Sequence, residues 1–446
     1  MNVPAARAQP TLDDLIARLS RLHPSRIDLG LDRMRRLLAQ LGNPERRIAP
    51  VIHVAGTNGK GSTVAYLRAI LEAAGLRVHV FTSPFLVRIN ESFRLGHAGG
   101  GVLVSDDELG RAFELCERAN AGSPITFFEI KTAAAFLLFA DHAADVVLLE
   151  VGLGGRLDST NVIEAPLAAV LAPISMDHTE FLGETLSAIA AEKAAIIKRN
   201  VPAICAEQQA DAMAVIEAEA RRQRAPLLAA GEQWHVNVER GRLVYQDERG
   251  LLDLPAPRLF GRHQFDNAGL PIATLRAIDA FRISHAAFEA GIVNADWPAR
   301  MQRLASGALL ELGPPGCEIW LDGGHNAAGG RVVAAALGDL EERVSRPLVL
   351  VVGMLATKDS AGFLRNFSGL ARRLIAVPIH QDKALSVEAI ATTARDIGIP
   401  AETTADIPAA LLRAGRFDLA APPRILITGS LYLAGEVLAA NGTPPQ

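Results

Sequence analysis

The stretch Val51–Phe85, VIHVAGTNGKGSTVAYLRAILEAAGLRVHVFTSPF, constrains this chain more than any other. An apolar run ends in glycine, a glycine-rich loop carries one lysine, and a helix-like segment, GSTVAYLRAILEAAG, closes on Gly75. Strand, loop and helix in that order form an anion cradle: glycines let backbone amides approach a phosphate, lysine adds charge, and the helix start adds its dipole. The alternative is a purely structural strand-to-helix turn. On the nucleotide reading the contacts come from Gly56, Thr57, Asn58, Gly59, Lys60, Gly61 and Ser62, with the helix opening near Ser62. The usual loop has Ser or Thr directly after the lysine, where the hydroxyl ligates magnesium. Here that place is Gly61, so another residue must complete the shell of a nucleotide-bound magnesium.

The same alternation continues along the chain. RVHVFTSP reads as a second strand, TAAAFLLFADH as a helix, and ADVVLLEVGLGG as a strand running into a glycine turn, with Glu150 at its end. Apolar strands alternating with helices predict a parallel sheet covered on both faces, with ligands at the carboxyl ends of the strands. EIWLDGG, a helix from about Gly330, PLVLVVGM, RRLIAVPI and PRILITGSLYLAGEVLAA predict a second, smaller unit of the same kind. The 446 residues suit two domains. The polar stretch with Pro298 puts their connection between Gly291 and Ala299, giving residues 1–295 and 296–446. At the front, TLDDLIARLSRL is an amphipathic helix capped by Thr11, and LDRMRRLLAQLG is another.

A net charge of -4 without a basic surface argues against nucleic acid as a partner. Cys116, Cys205 and Cys317 form no paired spacing, which fits a reducing cytoplasm. The N-terminus turns acidic before an apolar signal-peptide core appears, and no apolar run reaches membrane-spanning length.

Three residues could serve the missing magnesium contact, each with an ordinary alternative, and a lysine nearby needs an explanation of its own. Ser83 in TSP is a ligand or a turn residue, and Glu150 is a ligand or a cap for the glycine loop. His178 in DHTEFLG is a ligand or a hydrogen-bonded loop histidine. Lys193, on the apolar helix TLSAIAAEKAAIIK, either snorkels to water or is buried with a lowered pKa.

Taken in order, HVAGTNGKGS, TSPFLVRINE, TFFEIKTAAAF, LLEVGLGGRLDSTN, DHTEFLG, AEKAAIIK, GRHQFDNA, PARMQ, DGGHN, GMLATKD and TGSLYLAGEV resemble the folylpolyglutamate synthase and dihydrofolate synthase family over nearly the whole chain. The resemblance implies an α/β fold like that of the Mur ligases: a P-loop ATPase domain with a parallel sheet, then a smaller Rossmann-like domain. It implies ATP and two magnesium sites, with Ser83, Glu150 and His178 as metal ligands and Lys193 carbamylated. Asn267, Arg300 and Asp322 fall on ATP-contacting positions, and His325 on a motif histidine. Asp28, Leu29, Gly30 and Leu31, then Thr126, Phe127, Phe128 and Glu129, then Leu157, Asp158 and Ser159, are similar to dihydropteroate-contacting segments of the bacterial two-activity members. By their residue types alone, Asp28 could equally cap a helix and Phe127 or Phe128 fill the core. Gly324, Ala327 and the NESFR segment depart from the family's commoner residues.

The implied reaction is cytoplasmic and carried out by a monomer: ATP phosphorylates the carboxylate of dihydropteroate or a reduced folate, and L-glutamate displaces the phosphate. Lys60, His178, Lys193, Arg300 and His325 are the expected catalytic set. A folylpolyglutamate synthase of single activity, a peptidoglycan-precursor amino-acid ligase and a regulatory ATPase are the alternatives. The fifty or so residues before the loop are few for the UDP-sugar domain of a peptidoglycan ligase.

Overall fold

The computed structural model describes residues 11–23 and 27–446; the signal-peptide reading of residues 1–10 lies outside the described residues. Eight strands form one sheet: β1 (Val51–Ala55), β2 (Val78–Phe81), β3 (Phe93–Leu95), β4 (Val102–Leu103), β5 (Val146–Glu150), β6 (Ala168–Leu171), β7 (Ala203–Cys205) and β8 (Leu227–Ala229). Their order is β4-β3-β2-β5-β1-β6-β7-β8. β1 is buried at every position and lies parallel between β5 and β6. Its alternating side chains divide between two cores. Ile52 and Val54 join Val64, Leu67 and Ile70 of the helix Lys60–Ala73, while Val51 joins Phe81 and the helix Phe127–Asp141 on the other face. Burial of this kind contributes roughly 25 cal/mol per Å² of apolar surface.

The parallel arrangement predicted from the apolar runs extends from β2 through β8, but β3 and β4 add antiparallel at the edge. No α-helix lies between β2 and β3, so the chain turns back instead of making the crossover that a parallel pair requires. A small three-stranded sheet was not foreseen. β9 (Trp234–Glu239), β10 (Arg242–Asp247) and β11 (Gly250–Leu254) form an antiparallel meander in the order β11-β10-β9. Its strands mix polar with apolar residues instead of running apolar throughout. Trp234, Leu243, Tyr245 and Leu254 are buried against the helix His263–Ala277, and Arg242, Gln246 and Leu251 are exposed.

The remaining strands, β12 (Gln302–Arg303), β13 (Glu318–Leu321), β14 (Leu348–Val352), β15 (Ala371–Ala376), β16 (Ala401–Thr403) and β17 (Arg424–Thr428), form a sheet ordered β12-β13-β17-β14-β15-β16. All its pairs are parallel except β12 with β13. The helix expected from about Gly330 begins at Ala327, because Asn326 caps it through a 2.8 Å bond from the Gly329 amide. At the front of the chain Thr11 closes a capping box with Asp14.

Membership of the cores changes between Ala295 and Ala299. The halves also touch elsewhere: Leu86 and Val87, from the loop after β2, pack on the core of the six-stranded sheet. Among the described residues no helix is long and apolar enough to cross a membrane.

Gly291 lies in the helix His285–Asn294 where it crosses the helix Lys60–Ala73, and a Cβ there would come within 2.6 Å of the Ile70 backbone nitrogen. Gly291→Ala is therefore expected to destabilise the protein by about 1–3 kcal/mol in urea unfolding. That sign opposes the gain of about 1 kcal/mol that glycine-to-alanine brings to an uncrowded helix. An unchanged or raised midpoint would show that the two helices separate freely.

Candidate active site

The loop between β1 and the helix Lys60–Ala73 is held from behind. The Thr57 and Asn58 amides donate to the Pro173 carbonyl at 2.9 and 3.2 Å, and the Thr57 hydroxyl donates to the Ser175 carbonyl at 3.1 Å. Those two amides are turned away from any anion, which leaves that task to the first-turn amides of the helix. The helix opens at Lys60, two residues before the expected Ser62, after Gly59 adopts a left-handed conformation at φ 83°.

The glycines answer to their protein neighbours. A Cβ on Gly56 would meet Ala172 at 2.7 Å, one on Gly59 would meet Asn267 Oδ1 at 2.7 Å, and one on Gly61 would enter the Trp297 indole. The absence of a hydroxyl after Lys60 therefore has a steric cause: Trp297, from the connection between the two halves, occupies its space.

Gly56 through Ser62, with Ser83, Glu150, His178, Lys193, Asn267, Arg300, Asp322 and His325, all line one cavity of about 700 Å³. Glu150 ends β5 and is 4% exposed; it accepts a hydrogen bond from the Ser83 amide at 3.3 Å. Burial pushes its carboxyl pKa up, against the pull of Lys60, Arg300 and Lys131. Lys60 bends back to its own loop, donating to the Gly56 and Thr57 carbonyls at 3.2 and 3.4 Å. Lys193 does not snorkel: it is buried and donates to the Gly56 carbonyl at 3.0 Å. Burial, with Lys60 nearby, pushes its amine down to about 7. His178 has a left-handed backbone at φ 51°, and burial pushes its imidazole down to about 4, leaving a neutral ring with nitrogen lone pairs to offer.

Among the described residues no three His, Cys, Asp or Glu side chains converge on a preformed metal cage. A divalent ion fits nonetheless. The under-bonded Glu150 carboxylate, the Ser83 hydroxyl and the neutral His178 supply a few protein donors, and a hard ion completes its shell with phosphate oxygens and water.

From the second half come Arg300, which donates to the Ala299 carbonyl at 2.9 Å, and Asp322. Both Asp322 oxygens accept backbone amides, from Met301 at 2.8 Å and Gly324 at 2.7 Å, so it shapes the loop that carries His325. Asn267 donates to Gln264 at 3.1 Å.

The structure adds a junction absent from the expected residues. Asp177, beside His178, accepts from Lys358 and from Asn326 at 3.1 Å, and faces His325 Nε2 at 3.4 Å. Burial opposes its ionisation, but the bond and charge of His325, with His178 and Lys358, hold it well below the usual carboxylate range. Lys358 lies in the quoted GMLATKD segment just beyond β14, and that position at a strand's carboxyl end was its signal.

The eleven acceptor-segment residues do not line this cavity. Asp28 is no helix cap; it pairs with Arg33 at 2.9 Å, and Arg33 also pairs with Glu129 at 3.0 Å. Thr126 and Glu129 form a capping box, and Phe127 and Phe128 pack against the core containing Phe81. Leu29 packs on another apolar cluster, Gly30 lies by Arg33, Leu31 precedes the helix Asp32–Gln40, and Leu157 is half-buried. Asp158 and Ser159 are buried, and Asp158 accepts the Gly152 and Leu153 amides at 3.0 and 2.9 Å. Gly152 and Leu153 do line the cavity, so Asp158 meets its wall from behind.

Substituting Gly61→Ser would supply the standard hydroxyl yet collide with Trp297. It is expected to weaken binding of a fluorescent ATP analogue by about tenfold, the equivalent of a modest overpacking cost. Tighter binding would refute the steric account.

Residues 54–275 match the Mur ligase middle domain family. The chain is 36% identical to the dihydrofolate synthase/folylpolyglutamate synthase of Bacillus subtilis, covering 92% of this chain and 94% of that protein. It is 32% identical to the Escherichia coli protein of the same name, covering 97% and 96%. Among solved structures, E. coli FolC in complex with DHPP and ADP superposes with a TM-score of 0.84 at 31% identity, covering 98% of both chains. A bifunctional Yersinia pestis enzyme complexed with AMPPNP and Mn ion superposes at 0.83 with 29% identity, covering 98% of this chain and 99% of that one.

Proposed function

The chain belongs to the dihydrofolate synthase/folylpolyglutamate synthase family, and on that premise we propose that it joins L-glutamate to dihydropteroate, forming dihydrofolate, and to reduced folates, forming folylpolyglutamates, with ATP as the driving reactant. The observation that carries this reading is the shared cavity, in which the phosphate loop and Glu150 of one half meet Arg300, Asp322 and His325 of the other.

A carboxylate resists attack by an amine, so it is first converted to an acyl phosphate. Lys60 leaves its loop carbonyls and, with Arg300, binds the phosphoryl group as charge spreads over its oxygens. Asn267 and the loop Gly56–Ser62 orient the nucleotide, with Asp322 fixing the backbone between Arg300 and His325. Ser83, Glu150, His178 and a carbamylated Lys193 would hold divalent ions, two in all. A bound ion neutralises phosphate charge and polarises the phosphorus-oxygen bond. The Asp177 junction draws the second half over the site, which keeps water from the acyl phosphate until the glutamate amine attacks.

The acceptor lies across Gly152 and Leu153. Asp28–Leu31, Thr126–Glu129 and Leu157–Ser159 form its pterin end, with Asp158 fixing the two amides of the intervening wall. Residues 1–295 hold ATP and the pterin, and residues 296–446 hold glutamate.

The carbamate follows from the amine. Only an unprotonated amine captures carbon dioxide, and at a pKa of about 7 much of Lys193 is unprotonated near neutrality, unlike an ordinary lysine. Protein stripped of carbon dioxide at mildly acidic pH is expected to lose ligation and regain it with bicarbonate. Activity indifferent to bicarbonate would remove the carbamate from the mechanism.

The functional test is phosphate release with ATP, L-glutamate and dihydropteroate, tetrahydrofolate or a UDP-muramoyl acceptor, with products weighed by mass spectrometry. Glutamate is expected on both pterins. Addition to one alone would assign a single activity, and reaction of the muramoyl acceptor alone would overturn the reading. Lys60→Ala and Glu150→Ala should each lower ligation by about a hundredfold or more; near-normal turnover in either would defeat its assignment.

A further inference from the structure

Two of the stretches assigned to the pterin end, Asp28–Leu31 and Thr126–Glu129, belong to different parts of the chain, and one side chain ties them together. Arg33, in the first turn of the helix Asp32–Gln40, uses all three guanidinium nitrogens for this. Nη1 donates to the Asp28 carboxylate at 2.9 Å, Nη2 to the Asp28 carbonyl at 2.6 Å, and Nε to the Glu129 carboxylate at 3.0 Å. Glu129 is buried, and its Oε2 also accepts the Thr126 amide and hydroxyl, both at 2.8 Å. One turn further along the same helix, Arg36 donates to Asn120 Oδ1 at 2.9 Å and to the Pro124 carbonyl at 3.2 Å. Two arginines of one helix thus staple it to the stretch that runs from Asn120 into the helix Phe127–Asp141.

Each clamped stretch reaches the wall of the ATP cavity. A Cβ on Gly152 would enter the Phe128 ring, so that ring lies against Gly152. Leu29 packs on the same apolar cluster as Leu153. Gly152 and Leu153 line the cavity, whereas Asp28, Arg33 and Glu129 do not, so Arg33 is not placed to touch ATP. A buried carboxylate such as Glu129 needs a charged partner. The planar fork of arginine can serve two carboxylates and a carbonyl in fixed directions at once, and the point charge of a lysine cannot.

We propose that Arg33 is a positioning residue for the pterin-bearing acceptor: it clamps Asp28–Leu31 to the start of the helix Phe127–Asp141, so that Leu29 and Phe128 meet the wall as one unit. Asp28 and Glu129 serve the clamp and leave contact with the acceptor to their neighbours. The proposal rests on the reading that these two stretches bind the pterin end.

The test combines steady-state ligation, with dihydropteroate and ATP each varied, and hydrogen–deuterium exchange of the full-length protein with and without dihydropteroate. In the wild type, dihydropteroate is expected to slow exchange in peptides covering residues 27–31 and 126–129. Arg33→Met is expected to raise KM for dihydropteroate about tenfold while KM for ATP and kcat stay within about twofold, the mark of lost acceptor binding with the chemistry intact. Its unliganded exchange over residues 27–31 is expected to quicken. Arg33→Lys, able to meet only one carboxylate at a time, is expected to raise the same KM about threefold, and it carries the test where Arg33→Met does not fold. A wild-type KM for dihydropteroate in the variant that carries the test, or an equal rise in KM for ATP, overturns the proposal. Absence of protection by dihydropteroate in both stretches of the wild type instead overturns the acceptor reading on which it stands.

Discussion

Charged side chains held out of water where the two α/β units meet are the constraint on which this structure depends. Glu150, Lys193 and Asp322 are each at most 5% exposed, with Lys60 and Arg300 half-buried among them. Removing one such charge from water costs several kcal/mol, so each must be near an opposite charge or bonded to the backbone. The structure uses both means. Asp322 takes two backbone amides, Lys60 and Lys193 take loop carbonyls, and Glu150 keeps three cations within electrostatic reach. Glu150 is left with one long amide bond, and that deficit makes it suited to a bound ion.

Closure of the cleft follows from the same bookkeeping. Asp177 belongs to the loop after β6, yet Lys358, His325 and Asn326 face it from the other unit, and Asn326 also exchanges a 3.2 Å bond with Asn58 in the phosphate loop. The carboxylate thereby couples the position of the second unit to the nucleotide loop itself. Trp297 does the same by shape. It comes from the connecting segment and fills the place that a side chain after Lys60 would need, so loop and connection fit together only when residue 61 is glycine.

How much of this was legible depended on how local each signal was. The strand, glycine loop and helix around Lys60 could be read because each element's signature lies within a few neighbouring residues, and the apolar runs marked the central strands for the same reason. The meander β9–β11 escaped, since its strands are half-buried and mix exposed polar residues with apolar ones instead of running unbroken apolar. Asp28 was read as a possible cap, but its partner is Arg33, which also reaches Glu129, 96 positions away. No pattern within one segment announces such a bond.

The sequence by itself determined the kinds of element, their alternation, the phosphate loop and the family, because these are set by periodicity, glycine placement and the order of motifs. Tertiary structure alone decided what each polar group faces. It buried Lys193 against Gly56, turned the Thr57 and Asn58 amides toward Pro173, set Lys131 among three rings and made Asp177 the joint between the halves. The physical reason is that a group's charge and reactivity depend on solvent exclusion and on partners brought from distant segments, and both exist only once the sheets have packed.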